Sequence, residues 1–324
     1  MNCRTLLMVS LGCLLTACCM TDAQAQCLRT RSASAASYLE RGNKWFAKGD
    51  WERAIADYDL AIASEPCNAV AYYNRAAARY RKGDLSGALT DFNRALQFNP
   101  RYTEAYVDRG MVRGLTGDVD GCISDSTKAI ELNPRLAQAW HNRGLGWRIR
   151  GELDRSLADL NESLRLNPKY YEAWANRGIT RYLKGDYDGA LADQTRAIEL
   201  SPREAGIWAD RGQTLQAKGD LNGALTDFTR SLELRPDADA YTFRALVRRE
   251  RKEWAQAIAD YDQAIALNPR FADAYCSRGL VRLRQGDETV ADRDFKECLA
   301  LNPNLKAALE QFISKERAGM AAKK

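Results

Sequence analysis

Every proline in this 324-residue chain falls on one lattice: Pro66, Pro100, Pro134, Pro168, Pro202, Pro236, Pro269 and Pro303, spaced by 34 residues except for one step of 33 between Pro236 and Pro269. Proline cannot continue a helix, and it biases the residue before it away from helical backbone. A strict proline period therefore punctuates the chain into equivalent units. A period of this length marks a repeat array, in which each unit buries its apolar face against its neighbours. Counted from 31 residues before each proline, the units are 35–68, 69–102, 103–136, 137–170, 171–204, 205–237, 238–271 and 272–305.

The same positions recur in each unit. Position 4 is always aromatic (Tyr38, Tyr72, Tyr106, Trp140, Trp174, Trp208, Tyr241, Tyr275) and position 8 is always Gly or Ala. Positions 4, 7, 8 and 11 share one face of a 3.6-residue helix, which predicts the buried stripe of a first helix. Position 15 is Gly in seven units and is followed by Asp or Glu, as in Gly185-Asp186. Glycine suits the left-handed residue that ends a helix, and the acid is expected to cap the next one. The seventh unit has Lys252-Glu253 instead, which predicts a cost of roughly 1 kcal/mol for a non-glycine residue in that conformation. On the second helix, positions 20 and 27 are always Ala, Ser or Cys, small enough for neighbouring helices to approach closely.

In the first unit the pattern reads Tyr38, Gly42, Trp45, Ala54, Tyr58 and Pro66. With its period and two helices per unit it resembles the tetratricopeptide repeat family. The resemblance covers more than four-fifths of the chain, in eight in-phase copies. It implies an all-α fold, a right-handed superhelical solenoid of eight helix-turn-helix repeats. Segment 306–317 continues the helical pattern as a capping helix with a wetter outer face, and the last residues to 324 are expected to fray. The resemblance further implies a non-catalytic module that holds an extended peptide or protein segment in its concave groove. A second reading is a cell-envelope assembly scaffold or lipoprotein that acts through its edges or convex face. The partner would be a protein or peptide segment in either case.

The family usually carries Leu at position 7, but this chain has Arg in all eight units: Arg41, Arg75, Arg109, Arg143, Arg177, Arg211, Arg244 and Arg278. Position 23 is Asp throughout: Asp57, Asp91, Asp125, Asp159, Asp193, Asp227, Asp260 and Asp294. An unpaired buried charge is costly, so two opposite sets on facing buried stripes are expected to form structural ion pairs. The planar fork of arginine suits a carboxylate. Spacing leaves open whether each pair lies within one repeat or joins the next. Eight identical copies read as a lattice, whereas an active site would be one exception within it.

Residues 1–25 carry a basic residue, an apolar core near 6–20 and a small-residue stretch, the pattern of a secretory signal too short for a convincing membrane span. Ala23-Gln24-Ala25 fits cleavage before Gln26, the preferred reading. Leu15-Thr16-Ala17-Cys18 resembles a lipobox, which would place a lipid on Cys18. Either route leads to the periplasm, the cell envelope or beyond. Of nine cysteines, Cys3, Cys13, Cys18 and Cys19 belong to this segment. Cys27, in the lead-in 26–34, and Cys67, after the first closing proline, lie at the same end of the array and are expected to bridge. Cys122 and Cys298 sit at the small positions 20 and 27 and read as buried free thiols; Cys276, at position 5, reads as a small filler.

Several function classes lack their residues. His141 is the single histidine, so no zinc spacing exists, and no metal or other cofactor is expected. There is no G-x-S-x-G, no phosphate-cradling glycine loop and no region outside the repeats for a catalytic domain. The net charge of +5 is unchanged by loss of residues 1–25, which hold one Arg and one Asp. Much of that excess sits at positions 7 and 11, which disfavours nucleic acid as a partner.

Positions 2, 6, 9 and 13 lie opposite the buried stripe at 100° per residue and are expected to line the groove. Position 6 carries Asn74, Asp108, Asn142, Asn176 and Asp210, a ladder able to answer a peptide backbone. Position 9 is apolar in the middle units (Met111, Leu145, Ile179), as is position 13 (Leu115, Ile149, Leu183). These side chains either hold ligand side chains or pack between adjacent first helices. The family's carboxylate clamp for C-terminal tails lacks its basic residues, with Leu39 and Glu104 at positions where they would be wanted.

Overall fold

The structure is a computed structural model that describes residues 33–321. Among these residues it is all-helical, with 17 α-helices and one short 3₁₀ turn at Pro303–Leu305. The helices are α1 (Ala33–Ala47), α2 (Trp51–Ser64), α3 (Ala69–Lys82), α4 (Leu85–Phe98), α5 (Thr103–Leu115), α6 (Val119–Leu132) and α7 (Ala137–Ile149) in a first compact unit that ends at Gly151. A second unit starts at Glu152 and holds α8 (Leu153–Leu166), α9 (Tyr171–Leu183), α10 (Tyr187–Leu200), α11 (Ala205–Ala217), α12 (Leu221–Leu234), α13 (Ala238–Glu250), α14 (Trp254–Leu267), α15 (Ala272–Gln285), α16 (Glu288–Leu301) and α17 (Lys306–Ala321). The fourth period thus contributes one helix to each unit. Within both, consecutive helices pack in helix-turn-helix pairs and each pair packs on the next.

The periodic residues explain the pairing. Position 8 is small because the second helix lies directly on it, in several repeats with a ring: a Cβ on Gly279 would come within 2.5 Å of the Phe295 ring, and one on Gly42 within 2.6 Å of Tyr58. The small residues of the second helix, such as Ala54, Ala61, Ala224 and Ala264, are fully buried against these faces. Between the two helices of a pair, the position-15 glycines hold φ between 76° and 92°, and Lys252 occupies the same left-handed region at φ 62°. The next residue caps the second helix where it is Asp50, Asp84, Asp118, Asp186 or Asp220, each side chain accepting a backbone N–H three residues on. The longer Glu152 and Glu253, and Asp287, make no such bond.

At the C-terminal end α17 buries Leu309 against Leu280, Leu283 and Phe295 and continues to Ala321, past the point where fraying was expected. No helix among the described residues is long and apolar enough to cross a membrane. Residues 1–25, expected to be a secretory signal, with Cys18, and Cys27 lie outside the described residues.

Candidate functional site

The charged lattice comes first, because it decides which residues remain for function. Seven of the pairs form within their own repeat. Arg75 donates from Nε and Nη2 to the two oxygens of Asp91 at 2.8 and 2.6 Å. Arg41–Asp57, Arg109–Asp125, Arg177–Asp193, Arg211–Asp227, Arg244–Asp260 and Arg278–Asp294 repeat this fork. Arg143 belongs to the first unit and Asp159 to the second. The carboxylates are almost fully buried, and several take a third bond from a position-11 arginine, as in Arg79–Asp91 and Arg181–Asp193, both 2.9 Å. From the second repeat on, the remaining arm of the guanidinium reaches back to position 25 of the preceding repeat: Arg75 to Asp59, Arg177 to Asn161, Arg244 to Thr229. Its plane covers the position-4 ring, 4.6 Å from the centroid for Arg177 on Trp174. Burial works against the charge of Arg75, but the bonds to Asp91 and Asp59 outweigh it and hold the guanidinium above its ordinary range. The tryptophans close the joint, with Trp140, Trp174 and Trp208 donating from the indole to the carbonyls of Pro134, Pro168 and Pro202 at 2.9–3.0 Å.

The ladder at position 6 is less open than the sequence suggested. Asn142 is buried, 4% exposed, with its amide donating to the Val107 carbonyl at 3.2 Å and its oxygen 3.3 Å from His141 Nδ1. Asp108 accepts from the Tyr73 hydroxyl at 2.8 Å, and burial raises its carboxyl despite that bond. Asn74 donates to Asn43 at 3.0 Å and Asn176 to its own helix at the Glu172 carbonyl, 2.8 Å. Asp210 is half-buried beside Ala209 and Gln213. The expectation of a solvent-facing ladder is therefore corrected at Asn142. A helical wheel finds the face turned from the partner helix, but the neighbouring first helix (α5 for α7) packs along part of that same face.

The apolar rows divide. Met111, Leu145 and Ile179 are half-buried, whereas Leu115, Ile149 and Leu183 stand 61%, 57% and 52% exposed. In the first unit, Met111, Leu115, Leu145 and Ile149 rim a recess of about 150 Å³ floored by Val119 and Cys122. The Cys122 thiol is free, and burial pushes it up to about 11, which keeps it protonated and inert. Burial also lowers His141 to about 4, so it is neutral at physiological pH.

Cys298 is not free as expected: it bonds to Cys276, with Cα atoms 5.4 Å apart. Position 5 of a first helix and position 27 of its partner face each other across one repeat, and only the eighth carries cysteine at both. Cys67 is also disulfide-bonded, while its expected partner Cys27 lies outside the described residues. Among the described residues no group of three His, Cys, Asp or Glu side chains could hold a metal ion.

These features define a helical-repeat scaffold in which the charged lattice is structural and the outward face of the first helices offers apolar and polar contacts. Sequence models described as TPR repeat match residues 42–83 and 245–286, and models described as tetratricopeptide repeat match 69–102, 149–205, 205–237 and 272–305. Together these cover more than half of the chain, which belongs to the tetratricopeptide repeat family. No curated protein sequence matches it. Among solved structures, it is similar to a tetratricopeptide repeat protein from Parabacteroides merdae ATCC 43184, with TM-score 0.62 and 19% identity over 83% of this chain and 100% of that one. It is also similar to a chain of the APC/C hetero-tetramer Cut9-Hcn1, with TM-score 0.67 and 17% identity over 90% of this chain and 57% of that one. At these identities the likeness is one of fold. Arrays of this family are in general non-catalytic modules that bind protein or peptide partners, and no catalytic family matches the sequence.

Proposed function

We propose that the chain holds an extended segment of another protein against the outward face of its first helices. The observation that carries this reading is the pair Leu115 and Ile149, each more than half exposed beside the recess of the first unit. Exposed apolar side chains grouped around a recess cost solubility unless they serve a contact. Met111 and Leu145 extend that surface, and in the second unit Ile179 and Leu183 occupy the equivalent positions. Asn74 and Asp108 supply polar contacts in the first unit, and Asn176 and Asp210 in the second. Asn142 acts from beneath as a positioning residue, because its amide is spent on Val107.

The test is the double variant Leu115→Asp with Ile149→Asp. Thermal unfolding should stay within a few degrees of wild type, since both side chains face solvent. Cross-linked capture of the native partner from an extract of the source cells should fall at least tenfold. A partner captured equally well by the variant would overturn the groove reading and favour the edges or the convex face.

We also propose that the protein works outside the cytoplasm, in the periplasm or cell envelope. The pattern of residues 1–25 supports this, and so does the Cys276–Cys298 disulfide, a bond that persists in oxidising compartments.

A further inference from the structure

Three carboxylates, Asp237, Asp239 and Asp273, gather on the outward face of the second unit. Glu172, Glu204 and Asp210 lie along the same series of first helices and the turns before them, and those turns also hold Lys169, Arg203, Arg235 and Arg270. Arg235 and Arg249 are the cations lining the same recesses. Other acids of this unit are matched: Asp154 pairs with Lys184 and Asp188 with Lys218. Among the described residues no ion pair joins Asp239 or Asp273 to a cation. Burial, and then the neighbouring Asp237 and Asp273, hold the Asp239 carboxyl above its usual range. Asp239 and Asp273 are exposed, so their mutual repulsion is open to relief by a docking cation.

Beside Asp273 lies a recess of about 260 Å³ between α13, α15 and α17, lined by Leu246, Leu280, Leu305, Leu309 and Phe312, the last 54% exposed. Small-molecule sites run to roughly 300–1,000 Å³, so this recess suits one large apolar side chain better than a whole metabolite. Asp273 lines this recess together with Arg249, and Asp239 lines the neighbouring one, so an apolar hole beside unpaired carboxylates selects by charge as well as by shape.

We infer that this face takes a basic partner: an extended protein segment that sets a lysine or arginine against Asp239 and Asp273 and a nearby large apolar side chain in the Leu246–Phe312 recess. The inference rests on the peptide-holding reading above and adds the sign and composition of the ligand. An ammonium or guanidinium there relieves the repulsion among three carboxylates, whereas an acidic segment adds to it. Because the charges face solvent, the attraction weakens as salt rises.

The experiment is selection of a random dodecapeptide phage library on the full chain, followed by titration of the strongest peptide. Enriched peptides should combine Lys or Arg with Leu, Phe or Trp. The peptide should bind more weakly in 0.5 M than in 0.05 M NaCl, and about tenfold more weakly to Asp239→Lys with Asp273→Lys. Circular dichroism checks that this variant is folded, and Asp188→Asn, on the paired outer row, should bind as wild type. Enrichment of apolar peptides without a basic preference, or basic peptides bound equally by the double variant, would overturn the charge inference and leave the groove reading standing. No enrichment over bare support would remove both.

Discussion

The position-7 arginine of an inner repeat such as the fifth does three jobs with one planar group. Two donors of Arg177 clamp Asp193, a third reaches Asn161 of the preceding repeat, and the ring of Trp174 lies beneath its plane. Leucine, the family's usual residue there, could fill the space but would strand a carboxylate that is 1% exposed. Arg177→Leu is therefore expected to lose about 3 kcal/mol in urea unfolding, the range for breaking a buried pair. A double-mutant cycle with Asp193→Asn should show a coupling of about 2 kcal/mol, and one with Asp159→Asn none. Coupling to Asp159 instead would mean that the lattice pairs across repeats in solution. The residue types were legible in the sequence; the choice of partner was not, because positions 23 of successive repeats are equivalent in any one-dimensional count.

At the scale of the helix pair, turn chemistry sets the register. Seven left-handed glycines separate first from second helices, and Lys252 takes the same backbone conformation without glycine's freedom, at φ 62°. Lys252→Gly should raise stability by roughly 0.5–1 kcal/mol, the relief of a left-handed non-glycine residue reduced by the entropy glycine adds to the unfolded chain. A urea midpoint that stays put or falls would show that contacts of the lysine outweigh the strain. The eighth pair has an additional tie, since the Cys276–Cys298 disulfide joins α15 to α16. Cys298 stands at position 27, which is small in every other repeat, while position 5 ranges from Ala175 to Tyr73, so each cysteine alone read as packing. Only the facing of position 5 and position 27 across the pair made them a bond.

At the scale of the molecule, the chain has two compact units of helix pairs, and α17 covers Leu280 and Phe295 at the end of the second. The disulfide in that last repeat ties the fold to the proposed export. Mass spectrometry of the protein from its source cells should give a mature chain beginning at Gln26. A mass with diacylglycerol on Cys18 would move the protein onto a membrane by a lipid anchor. A chain retaining Met1–Ala25 in the cytoplasm would refute the export proposal.

The sequence by itself determined the period, the two helices per unit, the buried stripes and the identity of the charged lattice, because all of these follow from local periodicity of 3.6 and 34 residues. Only the tertiary structure decided which outward residues remain accessible. Asn142 and Leu115 both lie on the face turned away from the partner helix, yet one is 4% and the other 61% exposed. The difference arises because the preceding first helix packs on Asn142 through the Val107 carbonyl, while Leu115 stands at the open rim of the recess, and a wheel drawn for one helix contains no neighbour.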